Sequence, residues 1–297
     1  MPFSHLPPRY RGVLYGLAAA IIWGAFYAVS RHAIGAGMAA GDIAFVRYAA
    51  TGLILLPWAA GHARQIRRAG WQRGLALALL GGPPFVMISA SGYHFAPLSH
   101  AAVVQLGVAT VICAIAGAWW LREPLNRNAV AGLAVLLAGL AIVAGPGLFT
   151  GNATTAIGDG LFVLAGAMWA AFTLLLRRWK IDALAATIAV SVLSVAIYCP
   201  LYLVFGTPSH LFAAPVWVVI EQALVQGVLA GLIALFAYSR AVALLGAAKA
   251  SVFSVFAPFA SILIGAVLVH EWPSISQWLG LAVACLGMIV ILRPGRA

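Results

Sequence analysis

The sequence predicts an all-α membrane protein, with ten transmembrane helices arranged as two inverted five-helix repeats around a central cavity. Three observations carry this expectation. Of the 297 residues, 64% are hydrophobic and 8% charged. A soluble domain carries roughly 25% charged residues, so lipid rather than water must be the solvent. Apolar runs long enough to cross a bilayer, about 20 residues at 1.5 Å each, recur between short polar loops to the C-terminus. The second half also repeats the first. Moved forward by 146 positions, Gly16–Arg31 falls on Phe162–Arg177, with Ala19 on Ala165, Trp23 on Trp169, Phe26 on Phe172 and Arg31 on Arg177. At a shift of 148, Glu123, Gly132, Leu133 and Gly139 fall on Glu271, Gly280, Leu281 and Gly287. Matches in one order at nearly one offset read as a duplication.

The expected spans of the first repeat (1–146) are 12–33, 41–60, 72–94, 99–121 and 128–146. Those of the second repeat (158–297) are 158–178, 184–205, 215–239, 246–269 and 275–292, and the polar loop 147–157 joins the two. Arg9 and Arg11 precede the first run as they would in a secretion signal. The same pattern of run and basic loop recurs throughout, so the first run reads as a retained span. Lys and Arg then set the orientation. With the N-terminus inside, 15 of the 17 fall on the inner side and Arg31 and Arg47 remain outside, which puts both termini in the cytoplasm. Five spans per repeat is an odd number, so the second repeat must enter the membrane upside down. Inverted repeats mark secondary transporters, with the site near the midplane between the copies, and they also occur in channels.

The net charge of +11 sits in short loops between spans. There it acts as a topology signal, and no nucleic-acid partner is expected; the partners are membrane lipid and a small molecule, on a chain read as a monomer. Cys113, Cys199 and Cys285 are isolated in apolar runs with no CxxC pair, which predicts neither a disulfide frame nor a metal site. No cofactor motif is present. Catalysis needs a nucleophile, base or metal cluster held within mutual reach, and the chain offers no such set, so an enzyme is not expected.

Several spans are broken or built for close packing. Pro83–Pro84 falls in the middle of the third span, where two missing amide donors must kink or open the helix. Pro258 interrupts the ninth. Gly12-x3-Gly16 and Gly227-x3-Gly231 permit close approach of helix backbones.

Candidate site residues are the polar and aromatic groups at mid-depth. Trp23 and Tyr27 are i,i+4 on the first span, and Trp169 and Thr173 hold the matching positions on the sixth. Phe85 and Ser89 share a face of the third span, just after the Pro pair. Gln105 lies in the fourth, and Gln222 and Gln226 share a face of the eighth. Ser251, Ser254, Pro258 and Ser261 form a narrow stripe on the ninth. Aromatic walls with a few amides and hydroxyls suit a small amphipathic solute, whereas the same residues taken singly also suit core filling. Glu221, two turns into the eighth span, is the candidate proton-coupling group, because a carboxylate inside a membrane span is a functional candidate by default. His94 and His100 flank the turn after the third span and are expected as interface residues. Arg240 and Lys249 bracket an inner turn, where they could meet an anionic substrate or snorkel to headgroups.

The chain resembles the drug/metabolite transporter superfamily, of the EamA-repeat type. The resemblance rests on Trp23 and Trp169, on Phe45–Tyr48 (FVRY), on Ala243–Ser251 leading to Pro258, and on Glu123 and Glu271. It implies a basket of ten helices whose first, third, fourth, sixth, eighth and ninth spans line the cavity, and alternating access by rocking of the two repeats. It further implies kinship with bacterial exporters of aromatic amino acids and other metabolites, Trp169 corresponding to a cavity Trp of those exporters. The fourth span departs from them, with Thr110 and Ile112 where mid-helix aromatics are expected. Three cargo classes therefore remain: amino acids or similar metabolites, phosphorylated or nucleotide-linked solutes exchanged by antiport, and drugs or cations.

Overall fold

In the computed structural model the described residues are 7–61, 70–120, 127–144, 153–181, 183–245, 253, 256–272 and 274–291. They are helical almost throughout, with no strand among them. In the first half, α1 is Pro8–Gly35, α2 Ala40–Gly61, α3 Trp71–Gly92, α4 Leu98–Trp120 and α5 Arg127–Ala144. In the second half, α6 is Ala153–Trp179 and α7 Ala183–Phe205; a single-turn helix, Ser209–Ala213, precedes α8. α8 runs without a gap over Val216–Glu221, Gln222–Ile233 and Ala234–Leu245, and α9 (Phe256–Leu268) and α10 (Ile275–Ile291) complete the set. Among the described residues α1, α2, α3, α4, α6, α7 and α8 are long and apolar enough to cross a membrane, and α5, α9 and α10 are shorter apolar helices. α6 begins at Ala153, so the end of the expected linker 147–157 is helical.

The helices pack in a paired pattern. α1 lies mainly on α8 and α9, α6 on α3 and α4, α2 on α7, and α5 on α10. Small residues set how close the last pair comes. A Cβ on Gly139 would collide with the backbone of Ala284 and Gly280, and one on Gly287 with the backbone of Leu136 and Gly132. Gly139 opposite Gly280 and Gly287 opposite Gly132 means that α5 and α10 cross antiparallel, backbone on backbone. In lipid, where apolar side chains gain little by leaving solvent, such close contact is a main source of helix affinity.

α3 is two helices in line, Trp71–Gly81 and Pro83–Gly92. Gly82 between them has left the helical region (φ −96°, ψ −148°), and the two prolines occupy the first positions of the second piece. There their missing N–H groups cost nothing. The carbonyl of Gly81, released by the break, accepts a hydrogen bond from the Tyr48 hydroxyl of α2 at 2.9 Å. Pro258 lies in the first turn of the described part of α9, and Ser251, Ser254 and Lys249 fall outside the described residues. Two stretches were not foreseen: Ala101–Gln105 in α4 and Gln222–Ile233 in α8 are wound as π-helix, a geometry that recurs at functional sites.

Candidate functional site

The break in α3 and the wide turns in α4 and α8 surround one space. A cavity of about 360 Å³ lies between the two halves, with walls from α1, α2, α3, α4, α6, α7, α8 and α9. Aromatic rings make most of the wall. Trp169 of α6 stacks on Phe172 (centroids 5.2 Å) and leans on Phe85 of α3 (5.4 Å). Trp23 of α1, its counterpart in the repeat, leans on Tyr238 of α8 at 5.1 Å.

Polar groups are few and fixed. Gln105 at the end of the π-turn accepts from the Ser89 hydroxyl at 2.8 Å, and its amide lies 3.5 Å from the Tyr27 hydroxyl. The Thr173 hydroxyl donates to the Trp169 carbonyl one turn back at 2.8 Å. On the opposite wall stands Arg47. Its Nη1 donates to Gln226 Oε1 at 3.0 Å, and its guanidinium lies over the rings of Phe26 (5.0 Å) and Tyr48 (5.5 Å). Gln226 in turn donates to Ser30 Oγ at 2.6 Å, and Ser30 donates to the Phe26 carbonyl at 2.7 Å. α8 reaches α2 here because Gly227 faces Ala50 and Gly231 faces Thr51, with no room for a Cβ at either.

At one end the space is shut. Arg31 at the end of α1 pairs with Glu271 beyond α9 at 2.8 Å and donates to the Tyr93 carbonyl that ends α3, at 2.9 Å. Glu271 also accepts from the Leu98 amide at the start of α4, at 3.2 Å. The cation thus meets a helix C-terminus and the anion a helix N-terminus, as the helix dipoles favour. His32 lies 2.8 Å from Glu221 on α8, and His100 of α4 lies 2.8 Å from Asp159 on α6. Beneath these pairs Tyr93, Leu98, Phe162 and Val218 are buried, and beside them a second hollow of about 370 Å³ lies among Pro97, Leu98, His100, Ile262 and Glu271.

The expected site residues divide accordingly. Trp23, Tyr27, Phe85, Gln105, Trp169 and Thr173 line the cavity. Ser89 and Gln226 stand one layer back, 2% and 0% exposed, holding Gln105 and Arg47 in place rather than facing the space. Pro258 is buried in α9 beside Ala257, which does face it. Ser254 lies outside the described residues. Glu221 is away from the cavity, paired with His32. His100, expected at an interface, is buried against Asp159, whereas His94 is exposed. Arg47 was assigned to the outer surface with Arg31. It sits seven residues inside α2, about 10 Å along the axis, and its guanidinium faces the cavity. Tyr48, Thr51 and Ser191 were also missed, so α2 and α7 join the six helices that were expected to line the space. The signal was in FVRY, whose Arg and Tyr are the two residues that reach it.

A lipid-soluble helical bundle with an aromatic-walled space at its centre defines the class, a polytopic membrane transporter. The model of the EamA-like transporter family matches the chain twice, over residues 10–145 and 156–293, and the chain belongs to that family, within the drug/metabolite transporter superfamily. Its members are transporters and not enzymes. Among curated relatives, the multidrug resistance protein EbrA of Bacillus licheniformis is 33% identical over 75 residues, 25% of this chain and 70% of that protein. A solved structure described as a crystal structure of a protein superposes with a TM-score of 0.65 at 17% identity, over 95% of this chain and 96% of that one. At that identity the likeness concerns the fold alone.

Proposed function

We propose that the chain is a secondary transporter of ten transmembrane helices that exports amino acids or similar small metabolites by alternating access. The single observation that carries this reading is the cavity of about 360 Å³, walled by both halves and at the lower end of the size range of small-molecule sites. Inverted repeats (1–146 and 158–297) are supported by the pairing of the helices. α1 rests on α8 and α9 as its counterpart α6 rests on α3 and α4, while α2 meets α7 and α5 meets α10. Gly139 on Gly280 maps under the shift of 148 onto Gly287 on Gly132, the self-complementary contact that a two-fold axis produces. The closed end adds a further point, since the end of α1 and the start of α6 both meet the α3–α4 corner there. This supports opposite directions for the two helices.

On the positive-inside rule the sealed end, with Arg31, faces outward and the termini face the cytoplasm of a bacterial inner membrane. The cavity residues then bind substrate in a state closed to the outside. The name of the EbrA relative points toward drugs. Against a cationic drug stands the lining itself, in which the charged residue is Arg47 and no carboxylate appears among the described residues.

The test is flux. Proteoliposomes loaded with labelled amino acids should release them faster than empty vesicles, and Trp169→Ala should lower that flux by about tenfold or more by removing a ring wall. Release equal to empty vesicles across a broad metabolite panel would refute the assignment.

A further inference from the structure

We infer that Arg47 is a carboxylate anchor, and that the cavity takes an organic monocarboxylate with an aromatic or apolar body. This rests on the cavity being the transport site and adds the substrate class. A guanidinium at membrane depth is costly and is normally paired. Arg31 has Glu271, whereas Arg47 has no carboxylate within 4.0 Å among the described residues. One hydrogen-bonded partner is a neutral amide, and that amide cannot turn away. Ser30 spends its hydroxyl proton on the Phe26 carbonyl, so its oxygen must accept from the Gln226 NH2 group. The amide oxygen is thereby directed at Arg47. The rings of Phe26 and Tyr48 hold the planar group by cation–π attraction but accept few of its N–H donors. What remains is a half-buried, oriented fork held by Gln226 and by the Tyr48 hydroxyl, with further donors facing a space whose other walls are Trp23, Phe85, Trp169 and Phe172.

A carboxylate matches the fork in geometry and takes two parallel bonds. It also matches the charge, because one cation balances one anion, whereas a phosphate dianion would leave a net negative charge in an apolar chamber. The ammonium of an amine would find hydroxyl and amide oxygens and no acid. Within the reading of amino-acid export, the carboxylate is therefore the end that is gripped and the side chain meets the rings.

The experiment uses purified full-length protein in detergent and three probes of one shape: 3-phenylpropionate, its neutral amide, and 3-phenylpropylammonium, each titrated by calorimetry. The acid should bind at least about tenfold more tightly than the amide, the step expected for a charge-assisted bond, and the amine more weakly still. Arg47→Gln should erase the difference between acid and amide. Gln226→Glu, which sets an internal counter-ion where the amide oxygen now lies, should erase it too without adding bulk. Equal binding of acid and amide, a preference for the amine, or no heat from any probe overturns the anchor. The wild-type series decides this even where a variant fails to fold. Vesicle flux that is indifferent to the carboxylate would sink the anchor and leave export standing. An acid-selective heat without flux would do the reverse.

Discussion

The sealed end of the bundle and the cavity beneath it handle charge in opposite ways. At the sealed end three acids have a basic partner at 2.8 Å, Glu271 with Arg31, Glu221 with His32 and Asp159 with His100, while Asp42 at the start of α2 accepts from the Tyr202 hydroxyl and the Ala39 amide. In the cavity Arg47 has an amide, two rings and an open face. The contrast separates two uses of charge in lipid. Pairs that join α1, α4, α6 and α8 hold helices together, and removing one member strands the other. A cation without a counter-ion holds nothing as strongly, and it is ready to meet an anion from outside.

Mutations at the two places should therefore differ in kind. The largest loss of stability is expected for Asp159→Ala, since His100 and Asp159 are the most buried of the three pairs, at 7% and 14% side-chain exposure. Removing one partner leaves the other buried without its hydrogen bond, at a cost of about 1–3 kcal/mol, to be read from unfolding in detergent. Arg47→Gln, in contrast, should change stability by no more than about 1 kcal/mol, because the lost hydrogen bond and ring contacts are offset by removing a charge that is costly at membrane depth, while it abolishes discrimination for the acid probe. A large loss of stability from Arg47→Gln would mean that the two regions are alike after all. The smallest stability effect belongs to Glu271→Gln. That pair is nearly a third exposed, at 29% and 30%, where an ion pair contributes about 1 kcal/mol or less. Its consequence should be positional, through faster maleimide labelling of a Tyr27→Cys variant from the Arg31 side as the closed end loosens.

Much of the site was legible because lipid simplifies the reading. A Trp, Gln or Thr at mid-span stands out against an apolar background, which is how Trp23, Gln105, Trp169 and Thr173 were found. The broken third span followed from Pro83–Pro84 alone. Arg47 was misplaced because counting loop charges treats every Arg near a span end as topology, and it ignores that α2 starts at Ala40 and carries residue 47 inward. Ser89 and Gln226 were read as lining because helical periodicity identifies a face but not how many layers lie between that face and the space. His100 was underrated for a related reason. His100 and Asp159 are 59 residues apart, and no local pattern links them.

Composition, the basic loops and the repeat by themselves determined that this chain dissolves in lipid as helices and that its halves are copies, because those properties are sums over many residues and tolerate local error. Which cation is latched and which is left open was decided by the tertiary structure alone. Arg31 and Arg47 lie in the same half with similar neighbours in sequence. It is the approach of Glu271 to one and of Gln226 to the other, each from the far half of the chain, that makes the first a bolt and the second an anchor.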